Sequence, residues 1–317
     1  MANDITLILG AGASCPYGFP DGLQLIKKIK AAVSGERKTY LTYDQNFILF
    51  SQLLNKSGYG SIDQFLSKYP ELADDGKFFI TKILTKYENC SALMEATRKP
   101  DRWYSTFFDS QIRAGTSSKI RKNLDDLRIV TFNYDRSFEE FLWNKLIVDE
   151  KYSWRVATGI LEHLSIVHVH GQLGDLGWSE KNDFKRAASN VWNIYSPISS
   201  TSKLKSISKG IKIIHENLDT SKEFEIAKKY IESAGRVIFL GFSYQEDNMR
   251  RLGLDGKRFS MIGKGKLIAG TGYGLKPHQI QKLQGTYQGL YVYPMKIGQF
   301  LEKHLWVQPR REKKGFQ

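Results

Sequence analysis

The sequence predicts an α/β protein built on a doubly wound parallel sheet, and three observations carry that expectation. Short apolar runs rich in β-branched residues recur along the chain, each ends in small or polar residues, and amphipathic helical patterns fill several gaps between them. Such near-continuous apolar runs suit strands covered by helices on both faces.

Ile5 to Leu9 leads into Gly10-Ala11-Gly12-Ala13-Ser14, and Arg128 to Phe132 leads into Asn133. Ile166 to Val169 leads into His170-Gly171, and Val237 to Leu240 into Gly241-Phe242-Ser243. Lys266 to Ala269 and Leu290 to Tyr293 are further strands, the second alternating more and so lying nearer an edge. Helical spacing covers Asp21 to Val33, Ser61 to Tyr69, Tyr134 to Leu146 and Ser221 to Ser233. Residues 35–125 are patterned for helices without a parallel strand. They are read as a helical insert in a core of residues 1–34 and 126–305, with 306–317 a basic tail and the 317 residues forming a single domain. In Ser189 to Gly210, seven serines, a proline and scattered lysines interrupt any apolar period, which predicts an exposed, mobile loop placed to cover a site near His170.

No stretch approaches the roughly 20 apolar residues that span a bilayer. The N-terminus enters a strand without a basic segment or cleavage site, so a cytoplasmic protein with no membrane contact is expected. Two cysteines, Cys15 and Cys90, suffice for neither a disulfide framework nor a four-thiolate zinc ribbon. The six histidines are not paired with them at ligand spacing, so no metal is expected. Much of the formal charge of +14 is spread thinly, with local concentrations at Lys27 to Lys30, Lys203 to Lys212 and Arg310 to Lys314. A solvated surface accounts for it more simply than a dedicated nucleic-acid site, whose binding would weaken steeply with salt.

In an open parallel sheet, ligands bind beyond the carboxyl ends of the strands, and all four polar motifs fall there. The glycine cluster suits close approach of backbone to phosphate; a tight strand-to-helix turn is its bland alternative. Asn133 offers one acceptor and two donors, enough to orient a ribose hydroxyl and a water together, yet Asn133 and Asp135 equally suit capping a helix that starts near Arg136. An imidazole such as His170 can take a proton near neutrality. His168 shares its strand face and reads as a satisfied core histidine.

These segments, with Thr131-Phe132-Asn133-Tyr134-Asp135 and Tyr17-Gly18-Phe19-Pro20-Asp21-Gly22, resemble the sirtuin-like family, in the form seen in its bacterial defence-associated branches. The resemblance implies a Rossmann-like fold with NAD+ as substrate, held by Gly10, Ala11, Gly12, Ser14, Phe19, Gly241 and Ser243. It implies that Asn133 and Asp135 contact the nicotinamide ribose and that His170 is the general base. The implied activity is NAD+ glycohydrolysis to nicotinamide and ADP-ribose, as the effector of an antiphage system that depletes NAD+. It also implies a homo-oligomer and an activating partner such as a HerA-type ATPase or an Argonaute-like subunit. The chain departs from the Pro-Asp-Phe-Arg form of protein deacylases and cannot form their zinc module. A deacylase, a non-catalytic sensor of NAD+ or ADP-ribose, and a nucleic-acid-binding subunit stand as alternatives.

Overall fold

The computed structural model describes residues 4–37, 45–99, 102–177, 192–193, 195–213, 221–263 and 265–304. The basic tail lies outside the described residues. Six parallel strands form one sheet: β1 (Ile5–Leu9), β2 (Leu127–Thr131), β3 (Ser165–His168), β4 (Arg236–Leu240), β5 (Leu267–Thr271) and β6 (Leu290–Tyr293). Their order is β3-β2-β1-β4-β5-β6, so the winding reverses between β1 and β4. That is the Rossmann-like doubly wound arrangement, with its ligand crevice at the reversal. Leu7, Ile8, Ile129, Val130, Val237 and Phe239 are essentially inaccessible to solvent. A strand buried on both faces cannot alternate, which is why these runs are apolar throughout. Tyr291 on β6 is 54% exposed while its neighbours Leu290 and Val292 are buried, the alternation of an edge strand.

The insert carries α2 (Gln45–Lys56), α3 (Ile62–Lys68), α4 (Ala73–Leu84), α5 (Cys90–Thr97), α6 (Trp103–Phe107) and α7 (Ser117–Asp125), numbered after α1 (Gly22–Arg37). Its apolar side chains share one continuous core with α1 and one face of the sheet, through Ile26, Ile29, Phe50, Phe65, Phe107 and Phe141 among others. A bidentate ion pair ties it to the strand ends. The Arg136 guanidinium donates from Nε to Glu88 Oε1 at 3.0 Å and from Nη2 to Oε2 at 2.6 Å, and from Nη1 to the carbonyls of Gly174 and Asp175. Both side chains are almost wholly enclosed. Burial raises the Glu88 carboxyl, while the guanidinium pulls against that shift.

Two expectations need correction. The helix after β2, α8 (Ser137–Asn144), begins later than Tyr134, because the Asp135 carboxylate accepts the Ser137 N–H at 3.1 Å and also the Ser137 hydroxyl. The stretch Ser189 to Gly210 is not one exposed loop. After α9 (Trp154–Leu161) it contains α10 (Thr201–Ser208), capped by Ser200 Oγ and packed on α4 through buried Leu204 and Ile207. The apolar spacing of Leu204 and Ile207 is helical; Ser200 caps the helix, Ser202 is exposed, and the buried Ser208 satisfies its hydroxyl on the Lys205 carbonyl. None of the described residues of this stretch lines the crevice; just beyond it, the Lys212 N–H donates to the His170 carbonyl at 2.8 Å.

The remaining helices are α11 (Lys222–Ser233), α12 (Glu246–Arg251), α13 (Gly256–Ile262), α14 (Pro277–Thr286) and α15 (Ile297–His304). Asp247 lies in the first turn of α12, exposed beside Arg250, which fits helix-end duty rather than ligand contact. Among the described residues no helix is long and apolar enough to cross a membrane.

Candidate active site

Strand register decides which loops meet. Leu9 pairs with both Thr131 and Leu240, so Gly10 and Gly241 leave the sheet side by side. Thr131 pairs with His168, so Asn133 and His170, each two residues further on, leave as neighbours. The strand ends open into one cleft of about 920 Å³, within the range of sites for small molecules and cofactors. Gly10, Ala11, Gly12, Ser14, Phe19, Asn133, Asp135, His170, Gly241 and Ser243 all line it, so every site residue expected from the sequence is brought together.

The glycines have a structural duty that sequence reading assigned to phosphate. A Cβ on Gly10 would lie 2.6 Å from the Gly241 carbonyl oxygen, and one on Gly241, which has φ +59°, would lie 2.2 Å from the Ala13 nitrogen. The two loops therefore touch backbone to backbone, the Gly12 N–H donating to the Gly241 carbonyl at 3.0 Å. Ala13 and Ser14 donate their N–H groups back to Gly10 and Ala11. Three amides following the first glycine are thus already committed within the protein.

Asn133 holds this floor. Its Nδ2 donates to the Gly10 carbonyl at 3.1 Å and to Ser14 Oγ at 3.0 Å, using both amide hydrogens and leaving Oδ1 as the group able to address a ligand. Asp135 is buried, and desolvation raises its carboxyl against hydrogen bonds from Ser137 and Ser14. Asp135 thus serves the start of α8 through a turn bond to Ser137, with Arg136 in the N-cap position, and it also lines the cleft.

The two histidines divide as their environments dictate. His168 places Nδ1 2.9 Å from the Asn133 carbonyl and Nε2 2.8 Å from Glu139 Oε1. Burial alone would lower its proton affinity, but the Glu139 carboxylate and these bonds raise it. Two acceptors, one on each ring nitrogen, call for the imidazolium, and its work is to fix the backbone at Asn133. His170 is also buried, but its Nδ1 has no hydrogen-bond partner among the described residues. Phe132, Tyr134 and Phe224 surround its ring. Burial lowers its pKa, Arg251 adds to that and Asp63 opposes it, so the ring is neutral and basic at neutral pH.

The insert contributes wall residues that no motif announced. Asp63 Oδ1 accepts the Tyr134 hydroxyl at 2.6 Å, and both residues line the cleft. Arg102 lines it too, with its Nε buried and without a partner among the described residues. Arg102 is held beside the glycine loop by its neighbours: Trp103 Nε1 donates to the Ala13 carbonyl at 2.8 Å, the Tyr104 N–H donates to the Tyr17 hydroxyl at 2.7 Å, and the Tyr17 and Tyr104 rings stack. The aromatic-rich run from Trp103 to Phe108 was the available signal, since a cluster of large rings next to a charged residue marks a segment docked rather than dangling. Cys15 also faces the cleft, its thiol pushed up to about 11 by burial and by the nearby carboxylates of Asp21 and Asp135, which leaves it a poor nucleophile.

No protein-family model and no curated protein matches this chain.

Proposed function

We propose that this chain is a sirtuin-like NAD+ glycohydrolase. The observation that carries the reading is the convergence of Asn133, an unpartnered neutral His170 and the glycine loop in one cleft at the topological reversal of the sheet. NAD+ would lie with its diphosphate toward residues 10–14 and its nicotinamide ribose between Asn133 and His170. Because Gly12, Ala13 and Ser14 already use their amides, Arg102 provides the positive charge for the diphosphate.

Cleavage breaks the bond from ribose C1′ to the nicotinamide nitrogen, the electron pair leaving with nicotinamide, through a transition state of oxocarbenium character. Water bonds to C1′, and its proton passes to His170, whose lowered proton affinity keeps it ready to accept. Asn133 Oδ1 orients the water or a ribose hydroxyl. The products are nicotinamide and ADP-ribose. A sensor of NAD+ without chemistry would have no use for a buried, unpartnered imidazole beside the amide, which favours the enzyme over that alternative.

Family resemblance extends the proposal to a cytoplasmic effector of antiphage defence, restrained until a homo-oligomer or a partner such as a HerA-type ATPase or an Argonaute-like subunit switches it on. The test is to incubate the protein with NAD+, with and without an acyl-lysine peptide and with candidate partners, and to follow nicotinamide release. Equal yields of nicotinamide and ADP-ribose without peptide are expected. Consumption only in the presence of acyl-lysine would make the chain a deacylase, and intact NAD+ under every condition would remove the reading.

A further inference from the structure

We infer that Asp63, on the helical insert, is the carboxylate that positions and electrostatically supports His170. This inference rests on the proposed NAD+ hydrolysis and specifies how its base is served.

The Asp135 carboxylate is turned to Ser137, whose N–H and hydroxyl it accepts while starting α8. Asp135 is not among the charges that act on His170, whereas Asp63 is. Asp63 differs. It is half-buried in α3, lines the cleft, and is joined through a 2.6 Å hydrogen bond to the hydroxyl of Tyr134. Tyr134 lies between Asn133 and Asp135 in the chain, and its ring packs 6.3 Å from that of His170. Asp63, Tyr134 and His170 thus form a connected wall that runs from the insert to the end of β3.

Among the described residues two side-chain charges act on His170: Asp63, which favours the imidazolium, and Arg251 of α12, which opposes it. Lys212, from the segment after α10, contacts His170 through its backbone, and its ammonium is paired with Glu223 of α11 at 2.5 Å. Phe132 and Phe224 bring no charge. When His170 takes a proton from water, the new imidazolium lies in a buried site facing one carboxylate and one guanidinium. Asp63 is the group that offsets the second. Tyr134 keeps that carboxylate aimed at the cleft rather than at solvent.

The test compares Asp63→Asn, Asp63→Glu and Asp135→Asn in the full chain by the rate of nicotinamide release across pH and by ADP-ribose binding. Asp63→Asn should lower kcat by at least about tenfold and move the acid limb of the kcat profile to lower pH, because loss of the negative charge weakens proton binding at His170. ADP-ribose affinity should stay within about threefold of wild type, since the diphosphate contacts are elsewhere. Asp63→Glu should restore part of the rate, and Asp135→Asn, whose amide oxygen can still accept from Ser137, should lose less than Asp63→Asn. If wild type releases nicotinamide while Asp63→Asn keeps its rate and its acid limb, the inference about Asp63 is overturned and the hydrolase reading stands. If wild type neither binds ADP-ribose nor releases nicotinamide, the hydrolase reading itself fails.

Discussion

His170→Ala is expected to lower the rate of nicotinamide release by roughly 10²- to 10⁴-fold, the usual contribution of a positioned general base. Little stability should be lost through hydrogen bonding, because Nδ1 has no partner to leave behind. Asn133→Ala should lose comparable activity and also stability, since its amide ties the Gly10 carbonyl to Ser14 across buried structure. Thermal unfolding measured beside activity separates the two. The pH dependence has a definite sign. Burial, helped by Arg251, holds the His170 pKa below the ordinary 6.5, so the base stays unprotonated through neutral pH and activity should fall only as pH drops below that value. The same depressed pKa means that the folded protein binds this proton less tightly than the unfolded chain does. The His170 contribution to stability is therefore present above 6.5 and lost as pH falls through the folded value. His168, raised by Glu139 against the effect of burial, has the opposite sign: its contribution is present below 6.5 and lost as pH rises through the folded value.

The largest effect on stability should come from Glu88→Ala. Removing the carboxylate leaves the Arg136 guanidinium enclosed, and a guanidinium cannot shed its proton to escape the cost. Breaking one side of a buried pair costs about 3–5 kcal/mol, a large share of the roughly 5–15 kcal/mol that holds a domain together. The loss should appear in chemical denaturation as a lowered midpoint. It should also reduce nicotinamide release, because Arg136 directly follows Asp135 in the chain and grips the Gly174 and Asp175 carbonyls that follow β3. Replacing both Glu88 and Arg136 with apolar residues should recover only part of the stability, since those two carbonyls would lose their donors.

The sheet was legible because each strand is short, β-branched and buried on both faces, a pattern that leaves no other role for runs such as Ile5 to Leu9 or Val237 to Leu240. The rim was legible for a related reason: polar residues placed immediately after such strands can only emerge at the carboxyl edge. What sequence could not give was the third dimension of the insert. Asp63 and Arg102 are separated along the chain and belong to no spaced motif; the Asp63 bond to Tyr134 after β2, and the docking of Trp103 and Tyr104 on the loop after β1, are what hold them at the cleft. Local chemistry also misled at two places. The serines from 189 to 208 disguised α10, whose buried Leu204 and Ile207 carry the true signal, and the glycines at 10, 12 and 241 first serve one another before any ligand.

Placement of the dinucleotide is the claim on which the rest depends, and a crystal structure of the Asn133→Ala variant soaked with NAD+ tests it most directly. The diphosphate is expected over residues 10–14 within reach of Arg102, with the nicotinamide ribose against His170. A dinucleotide lying outside this cleft, or one whose adenine end meets His170, would contradict the account.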